Sequence, residues 1–283
     1  MRTDLIALLL TVVACGPTLK DLPLSSRFSE KEIIGQSNDA RLQEASGLAV
    51  SFKNPGHLWT HNDSGGKPEL YLINEKGDVA MTARLKGAKN RDWEDIAISR
   101  DGSGYVFIGE IGDNNAVHES LTIYRIVEPA IDSTNKKKVN YDQMTIQYEE
   151  GARDAETLMV DPFTKNLILL TKREDNILVY SFAFEAGTSK VIASKGTMPL
   201  TWLTAGDINA KGDILIKNYN QVFYLENKNK TPIVELLLNG KPELIDYEVE
   251  KQGEALTWSL EGNSFFLLSE WNDDQPQPLY RYY

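Results

Sequence analysis

Acidic residues recur along this sequence, each placed just before a short apolar run that predicts a β-strand. Carboxylate oxygens gathered in one place suit Ca²⁺, and close carboxylates raise one another's pKa unless a cation compensates. A repeated acid can instead accept hydrogen bonds from a neighbouring unit's backbone and hold two units together. Repetition in every unit favours this structural interpretation, while a metal-binding role stays open for a subset. The candidate metal ligands are Glu44, Glu94, Glu156, Asp207 and Glu254.

A second set of polar residues follows the next apolar run of each unit. Lysine occupies two of these positions, where it could neutralise the acids or bind an anionic group. The polar loops at His61–Gly66 and Gly109–Asn114 are typical of well-made turns, or they present oxygen atoms to a common ligand. If both polar sets meet at one end of the fold, a ligand site is predicted there. Its candidate residues are His61, Asn62, Asp63, Glu110, Asp113, Lys172, Lys217, Glu270 and Trp271.

The elements that must position these residues are short strands separated by Gly, Asp, Asn and Pro turn signals. The acids recur at intervals of roughly 50 residues, close to the period of one four-stranded propeller blade, about 40–50 residues. A third strand of each unit carries a tyrosine. We therefore predict an all-β fold, a β-propeller of five blades. The tyrosines are Tyr71, Tyr124, Tyr180, Tyr224 and Tyr280.

The interval from Glu94 to Glu156 is the longest, and an extra blade hidden there would make six. It contains Lys136–Lys138, which predicts an exposed turn or, alternatively, a basic binding patch. The last unit stops after its third strand. We expect the segment 27–36, with Phe28 and Ile33, to supply the missing strand and so remove the exposed sheet edges.

Composition excludes several function classes. The 283 residues carry a formal net charge of −11, so nucleic acid and anionic membrane surfaces are poor partners. The single cysteine, Cys15, excludes an intrachain disulfide. Zinc-ligand spacing, a nucleophile elbow and a phosphate-binding glycine loop are all missing from the sequence. The tryptophans are expected in packing between blades, except Trp271, whose loop suits ligand contact.

The N-terminal residues predict export. Leu5–Val13 is an apolar run too short to span a bilayer, and its length is typical of a signal peptide. Ala14 then precedes Cys15, and this stretch resembles the bacterial lipoprotein lipobox. The resemblance implies removal of residues 1–14, lipidation of Cys15 and a tether over residues 15–27. The alternative is an ordinary signal peptide beside a chance cysteine. The propeller would then occupy residues 28–283, anchored to a membrane of the cell envelope.

Several motifs together resemble a family of secreted bacterial β-propellers without an assigned activity. More distantly, the chain is similar to phytase-like and lactonase-like propellers, which implies Ca²⁺ held by acids at the channel mouth. Glu110 stands where the family has Asp, and Lys217 where it has Arg; both keep the charge. The motifs are His61–Gly65, Asp92–Ile96, Gly109–Asn114, Arg153–Glu156 and Gly253–Ala255.

Two functional hypotheses follow. The first is a lipid-anchored module that binds a small molecule, glycan or protein at one propeller face. The alternative is a Ca²⁺-dependent hydrolase of a phosphate ester or lactone. A metal site requires acids with unpaired oxygens converging on a solvent-filled mouth, whereas acids that hold blades together are bonded to backbone amides.

Overall fold

The computed structural model describes residues 22–273, 275–276 and 278–283. The predicted signal peptide, Cys15 and the first part of the tether lie outside these residues. In chain order the strands are β1 (Lys31–Gln36), β2 (Ala45–Val50), β3 (His57–Asn62), β4 (Glu69–Asn74), β5 (Val79–Leu85), β6 (Trp93–Ile98), β7 (Tyr105–Glu110), β8 (Leu121–Val127), β9 (Lys136–Val139), β10 (Asp142–Tyr148), β11 (Ala155–Val160), β12 (Leu167–Thr171), β13 (Ile177–Phe182), β14 (Ser189–Ile192), β15 (Gly196–Met198), β16 (Leu203–Ile208), β17 (Ile214–Asn218), β18 (Val222–Leu225), β19 (Glu243–Leu244), β20 (Gly253–Trp258), β21 (Phe265–Ser269) and β22 (Pro278–Tyr282).

These strands form five sheets arranged as the blades of a β-propeller. Blade 1 has the order β2-β3-β4-β5-β9, and blade 2 has the order β6-β7-β8-β10-β14. Blades 3 and 4 are β11-β12-β13-β15 and β16-β17-β18-β19, and blade 5 is β20-β21-β22-β1. The predicted five-bladed all-β fold is confirmed, and the six-bladed alternative is wrong.

The innermost strand of each blade is buried along its whole length. This holds for β2, β6, β11, β16 and β20. Each contacts the inner strand of the next blade, and β20 contacts β2, so the five strands close a ring. A strand enclosed on both faces favours continuous apolar residues over alternation, which explains runs such as Leu158–Val160. The ring therefore fixes where each inner strand begins.

The ring is closed by a strand from the N-terminal side, as predicted. Strand β1 pairs antiparallel with β22, with Ile33 opposite Tyr280. Phe28, just before β1, is buried and packs edge-on against Tyr224, Trp258 and Phe265, with ring centroids 5.4, 5.6 and 5.4 Å away. Its φ of 59° is unusual for a bulky residue. The aromatic contacts must offset the cost of that backbone conformation.

Two blades receive an outer strand from the chain of the next blade. Strand β9 comes from the chain between β8 and β10 of blade 2, and it pairs parallel with β5 of blade 1. Strand β14 leaves blade 3 and pairs parallel with β10 of blade 2. The long interval between Glu94 and Glu156 is explained by β9 and β10 rather than by an extra blade. The prediction of a turn at Lys136–Lys138 is wrong, because these residues lie in β9.

One short helix, α1 (Ile233–Asn239), packs beside β13 and β15. Among the residues the structure describes, no helix is long and apolar enough to cross a membrane.

Phe28→Ala should lower the free energy of unfolding by about 3 kcal/mol, because it leaves a cavity among three aromatic rings. Denaturant unfolding of the domain measures this. Phe163→Ala is the control, since Phe163 is 46% exposed and should cost little. Equal midpoints for the two variants would show that the segment before β1 does not hold the ring closed.

Candidate functional site

The starts of the inner strands and the ends of the second strands meet at one mouth of the channel. Antiparallel pairing places Trp93 opposite Glu110. Just beyond the paired residues, backbone hydrogen bonds join Asp63 N to Glu44 O at 2.8 Å and Glu270 N to Gln252 O at 3.2 Å. The two polar sets of the sequence therefore share one end of the fold, as the ligand-site hypothesis requires.

Seven carboxylates gather at this mouth in three overlapping groups. Within each group the residues offer one oxygen apiece, and these oxygens lie within 4.8 Å of one another. We call the set the mouth cluster. Its groups are Asp63, Asp92 and Glu94; Asp63, Glu254 and Glu270; and Glu94, Asp154 and Glu156.

Local geometry brings the glutamates into the mouth. Each inner strand of blades 2, 3 and 5 has a β-bulge near its start, and the residue without a cross-strand partner there is Glu94, Glu156 or Glu254. A bulge re-aims one side chain relative to the strand. In blade 4 the same position is held by Thr204. Blade 1 carries no acid within β2, because Glu44 precedes the strand and is exposed.

Burial and like charge make the mouth cluster hold protons near neutral pH. Burial, followed by the charges of Asp92 and Glu254, raises the pKa of Asp63 to about 7. Burial, followed by the charges of Glu254 and Asp63, raises the pKa of Glu270 to about 8. Burial, reinforced by Glu156, also places the pKa of Glu94 well above its ordinary value. The cluster therefore has more negative charge than its surroundings compensate.

Protein cations compensate only one side of the mouth. Lys172 donates to Glu156 and, at 3.0 Å, to the Tyr219 hydroxyl. That hydroxyl in turn donates to Glu254 at 2.6 Å. Arg173 pairs with Asp154 at 2.5 Å. Asp63 and Glu270 form no ion pair with a lysine or arginine within the described residues.

Lys217 is the second predicted lysine, and it is buried beneath the mouth. Its Nζ donates to Asn218 O at 3.0 Å and lies 4.9 Å from the centre of the Tyr247 ring. Burial lowers the pKa of Lys217 to about 8, although Glu250 and Glu254 oppose the change. A Cβ on Gly253 would lie 2.7 Å from this Nζ, so glycine there leaves room for the ammonium group.

Several acids accept backbone amides from a neighbouring blade. One of them, Asp154, belongs to the mouth cluster and accepts the Asp113 amide of blade 2 at 2.9 Å. Asp95 accepts the Leu158 amide of blade 3 at 2.8 Å. Asp207 accepts the Trp258 amide of blade 5 at 2.9 Å and pairs with Arg100 at 2.6 Å. The prediction that Asp207 shares a position with the glutamates is therefore wrong, since it lies three residues beyond the bulge. Asp207 holds neighbouring blades together.

Glu94, Glu156 and Glu254 behave differently from those structural acids. In the described part of the chain, their carboxylates accept no backbone amide from a neighbouring blade. Glu156 is bonded to Lys172 and Glu254 to Tyr219. These three acids therefore do not hold blades together through backbone amides, and each belongs to a group of carboxylates that could hold a metal ion.

Several predicted ligand-binding residues lie outside the mouth cluster. His61 is wholly buried with its ring edge-on to Trp93 at 5.7 Å, and burial lowers its pKa to about 4. Glu110 accepts the Tyr124 hydroxyl at 3.1 Å. Asp113 caps a turn by accepting the Val117 and His118 amides.

Two further predicted residues lie near the mouth without joining the cluster. The Asn62 side-chain amide donates to Arg41 O at 2.6 Å and so ties two loops together. Trp271 is partly exposed, and its backbone amide donates to Gln43 O at 2.8 Å. Of the predicted ligand-binding residues, only Asp63 and Glu270 belong to the carboxylate groups. Lys172 contacts one of these groups through Glu156.

Sequence analysis missed Asp92 and Asp154. A signal was present, because Asp92 and Glu94 form an Asp-x-Glu pair that Asp154 and Glu156 repeat one blade later. Gly112 was missed as well. A Cβ on Gly112 would overlap the Glu94 and Asp92 carboxylates, so its lack of a side chain allows them to approach.

Trp202 corrects the expectation that this tryptophan packs between blades. It is 47% exposed with a φ of 58°, and the Arg173 guanidinium lies 5.1 Å from its ring centre. Its backbone amide donates to Lys172 O at 2.6 Å. An exposed aromatic ring therefore stands beside the compensated side of the mouth cluster.

Comparison with known proteins finds distantly similar solved structures and no match by sequence. Neither a protein-family model nor a curated protein matches the sequence. A gluconolactonase from Xanthomonas campestris is similar at a TM-score of 0.45 and 12% identity, covering 84% of this chain and 71% of that one. A luciferin-regenerating enzyme is similar at a TM-score of 0.49 and 10% identity, covering 89% of this chain and 94% of that one. The Pan2 WD40 domain of Neurospora crassa is similar at a TM-score of 0.47 and 10% identity, covering 92% of this chain and 97% of that one.

The raised carboxyl pKa values predict a stability that depends on pH. The folded protein binds these protons more tightly than the unfolded chain, so stability falls as pH rises from the ordinary carboxyl range, about 4.5, towards 8. Melting temperature without divalent cations should decline across this window. The double variant Asp63→Asn, Glu270→Gln should show a flatter decline. The control Glu261→Gln, away from the mouth, should show the same decline as the wild type. An equal slope in all three proteins would contradict the charge argument.

Proposed function

We propose that this protein is an envelope-anchored propeller whose channel mouth binds Ca²⁺ and, with it, an oxygen-rich ligand. The observation that supports this most directly is the convergence of three carboxylate groups with oxygens within 4.8 Å. A divalent cation there would relieve the like-charge repulsion that now raises the carboxyl pKa values.

The donor set favours Ca²⁺ over transition metals. Carboxylates supply the candidate ligands, and the buried His61 is not among them. Hard oxygen donors suit Ca²⁺, which takes 6–8 of them in flexible geometry, whereas imidazole and thiolate favour zinc and copper. Asp63, Glu254 and Glu270 are the best ligands, because no lysine or arginine of the described residues forms an ion pair with Asp63 or Glu270.

The ligand would bind across the mouth, between the cation and the compensated side. Arg173 keeps part of its side chain in solvent while it pairs with Asp154. Trp202 supplies an exposed ring for stacking, and Trp271 is partly exposed near Glu270. Sugars and other small polyols match this combination of a metal, charged hydrogen-bond donors and an aromatic face.

A Ca²⁺-dependent hydrolase is the second candidate, because the mouth contains carboxyl groups that titrate near neutral pH. A general base works best when its pKa lies near the operating pH, and Asp63 at about 7 meets that condition. Bound Ca²⁺ would polarise a carbonyl or phosphoryl oxygen. In this candidate the other carboxylates of the mouth cluster would hold the cation, and Asp63 would take a proton from water.

Calorimetric titration of the domain with Ca²⁺ should show saturable binding at neutral pH. Glu254→Gln and Glu270→Gln should each weaken it by about tenfold or more, since each removes a charged oxygen ligand worth over 1.4 kcal/mol. Glu261→Gln is the matched control and should bind as the wild type does. The absence of both heat and a melting shift in the wild-type protein would reject the calcium site.

A turnover assay on the same purified protein distinguishes the binding module from the hydrolase. Turnover of a simple lactone or phosphate monoester with Ca²⁺, lost in EDTA and in Asp63→Asn, would establish the hydrolase. Binding of Ca²⁺ without turnover of either substrate class supports the binding module.

The lipid anchor has its own test. Cells expressing the full chain should incorporate an alkyne-labelled fatty acid into the protein, and Cys15→Ser should abolish both the label and membrane fractionation. Because Cys15 is the chain's only cysteine, label retained in that variant would contradict the proposal.

A further inference from the structure

Blade 1 has a basic groove on its outer strands. It is a cavity of about 380 Å³ lined by Arg41, Lys67, Glu69, Thr82, Arg84 and Lys136–Lys138. We call it the blade 1 groove. The chain as a whole carries a net charge of −11, so a concentration of cations here runs against the general composition. Solubility does not explain it, since acidic residues already provide that.

The groove exists because of β9. This strand pairs parallel with β5, which sets Thr82 beside Lys136 and Arg84 beside Lys138. Neighbouring strands lie about 4.8 Å apart, and residues two apart along a strand lie about 7 Å apart on the same face. The side chains of Arg84, Lys136 and Lys138 therefore start from three corners of a small rectangle.

Arg41 supplies positive charge at the fourth corner. Its Nη1 donates to the Thr82 hydroxyl at 3.2 Å, and its guanidinium lies 5.5 Å from the centre of the Tyr71 ring. Asp39 pairs with it at 2.5 Å, which fixes the guanidinium without closing the groove. With Lys67 and Lys137, six cations thus line one small cavity.

Most of these cations have no ion-pair partner in the part of the chain that the structure describes. Within the described residues, the side chains of Lys67, Arg84, Lys136 and Lys138 form no ion pair or hydrogen bond; Lys137 pairs with Asp132 at 2.7 Å. Like charges on adjacent strands destabilise a sheet. Placing Arg84 beside Lys138 is therefore unfavourable to folding. Glu69, opposite Arg84 on β4, offsets part of this repulsion, and an anion between the two cations would offset the rest.

We propose that the blade 1 groove binds a sugar carrying two or more phosphate groups, free or as a lipid headgroup. Lysine and arginine bind phosphate oxygens through charge-assisted hydrogen bonds. Glu69 and Thr82 add acceptors for sugar hydroxyls, and Glu69 already accepts the Tyr71 hydroxyl at 3.1 Å. The volume is within the range of small-ligand pockets, about 300–1,000 Å³. A long polyanion such as DNA would extend over acidic surface and be repelled.

The test uses fructose 1,6-bisphosphate as probe, with fructose as the uncharged control, in calorimetry at low salt with EDTA. EDTA keeps divalent cations from the mouth cluster, so failure here and failure of the calcium proposal are separate results. We expect saturable binding of the bisphosphate only, weakening as salt rises. The triple variant Arg84→Gln, Lys136→Gln, Lys138→Gln should lose about tenfold or more in affinity.

The matched control is Lys53→Gln, Lys195→Gln, Lys241→Gln, which removes the same charge from exposed positions elsewhere. It should bind as the wild type does. Removing like-charge neighbours should leave the groove variant's melting temperature unchanged or higher, so lost binding is not lost folding. Equal binding by both triple variants, or no binding by the wild type to any phosphorylated probe, would overturn the proposal.

The source of the phosphosugar is distinguished by flotation with phosphatidylcholine vesicles, with and without lipid A. Selective capture by lipid A vesicles, lost in the groove variant, supports a headgroup ligand; bisphosphate binding without capture supports a free sugar phosphate. Binding of duplex DNA as tightly as the bisphosphate would reject the phosphosugar class in favour of general polyanion binding.

Discussion

Closure of the five inner strands into a ring is the constraint on which the rest of this structure depends. Every inner strand is buried and contacts two others, so the start of each strand is held at one channel mouth. Carboxylates placed at those starts must therefore lie close together. Their mutual repulsion and burial would favour separation in an open chain, and only the packing of five apolar strands keeps them in place.

The fold uses its acids in two ways, and the strand positions of the two kinds of acid lie only one to three residues apart along the inner strands. Asp95 and Asp207 lie within the inner strands, where amides of the next blade satisfy them and strengthen the ring. Glu94 and Glu254 lie at bulges, where no such amide from the described part of the chain bonds to them. Rigid strands thus carry both sets, so the mouth cluster is preorganised before any cation binds. Gly112 contributes by leaving room for the carboxylates.

The blade 1 groove and the mouth cluster differ in how the chain builds them. The mouth uses equivalent positions of successive blades, whereas the groove depends on one irregular feature, the parallel strand β9 that leaves blade 2 and joins blade 1. Parallel pairing of an outer strand also covers the edge of β5 and ties two blades together. The same segment therefore has a structural function and gathers the lysines around a cavity.

The sequence by itself determined the fold class and the strand that closes the ring, and it favoured five blades over six, because strand periodicity and repeat length are local properties of the chain. It also identified Glu94, Glu156, Glu254 and Glu270. The tertiary structure alone decided which acids converge: spacing placed Asp207 with the glutamates and overlooked Asp92, since a bulge shifts a side chain by one position without a trace in composition. Only the tertiary structure shows that β9 pairs with β5. Contacts between separate blades depend on packing in three dimensions and not on neighbours along the chain.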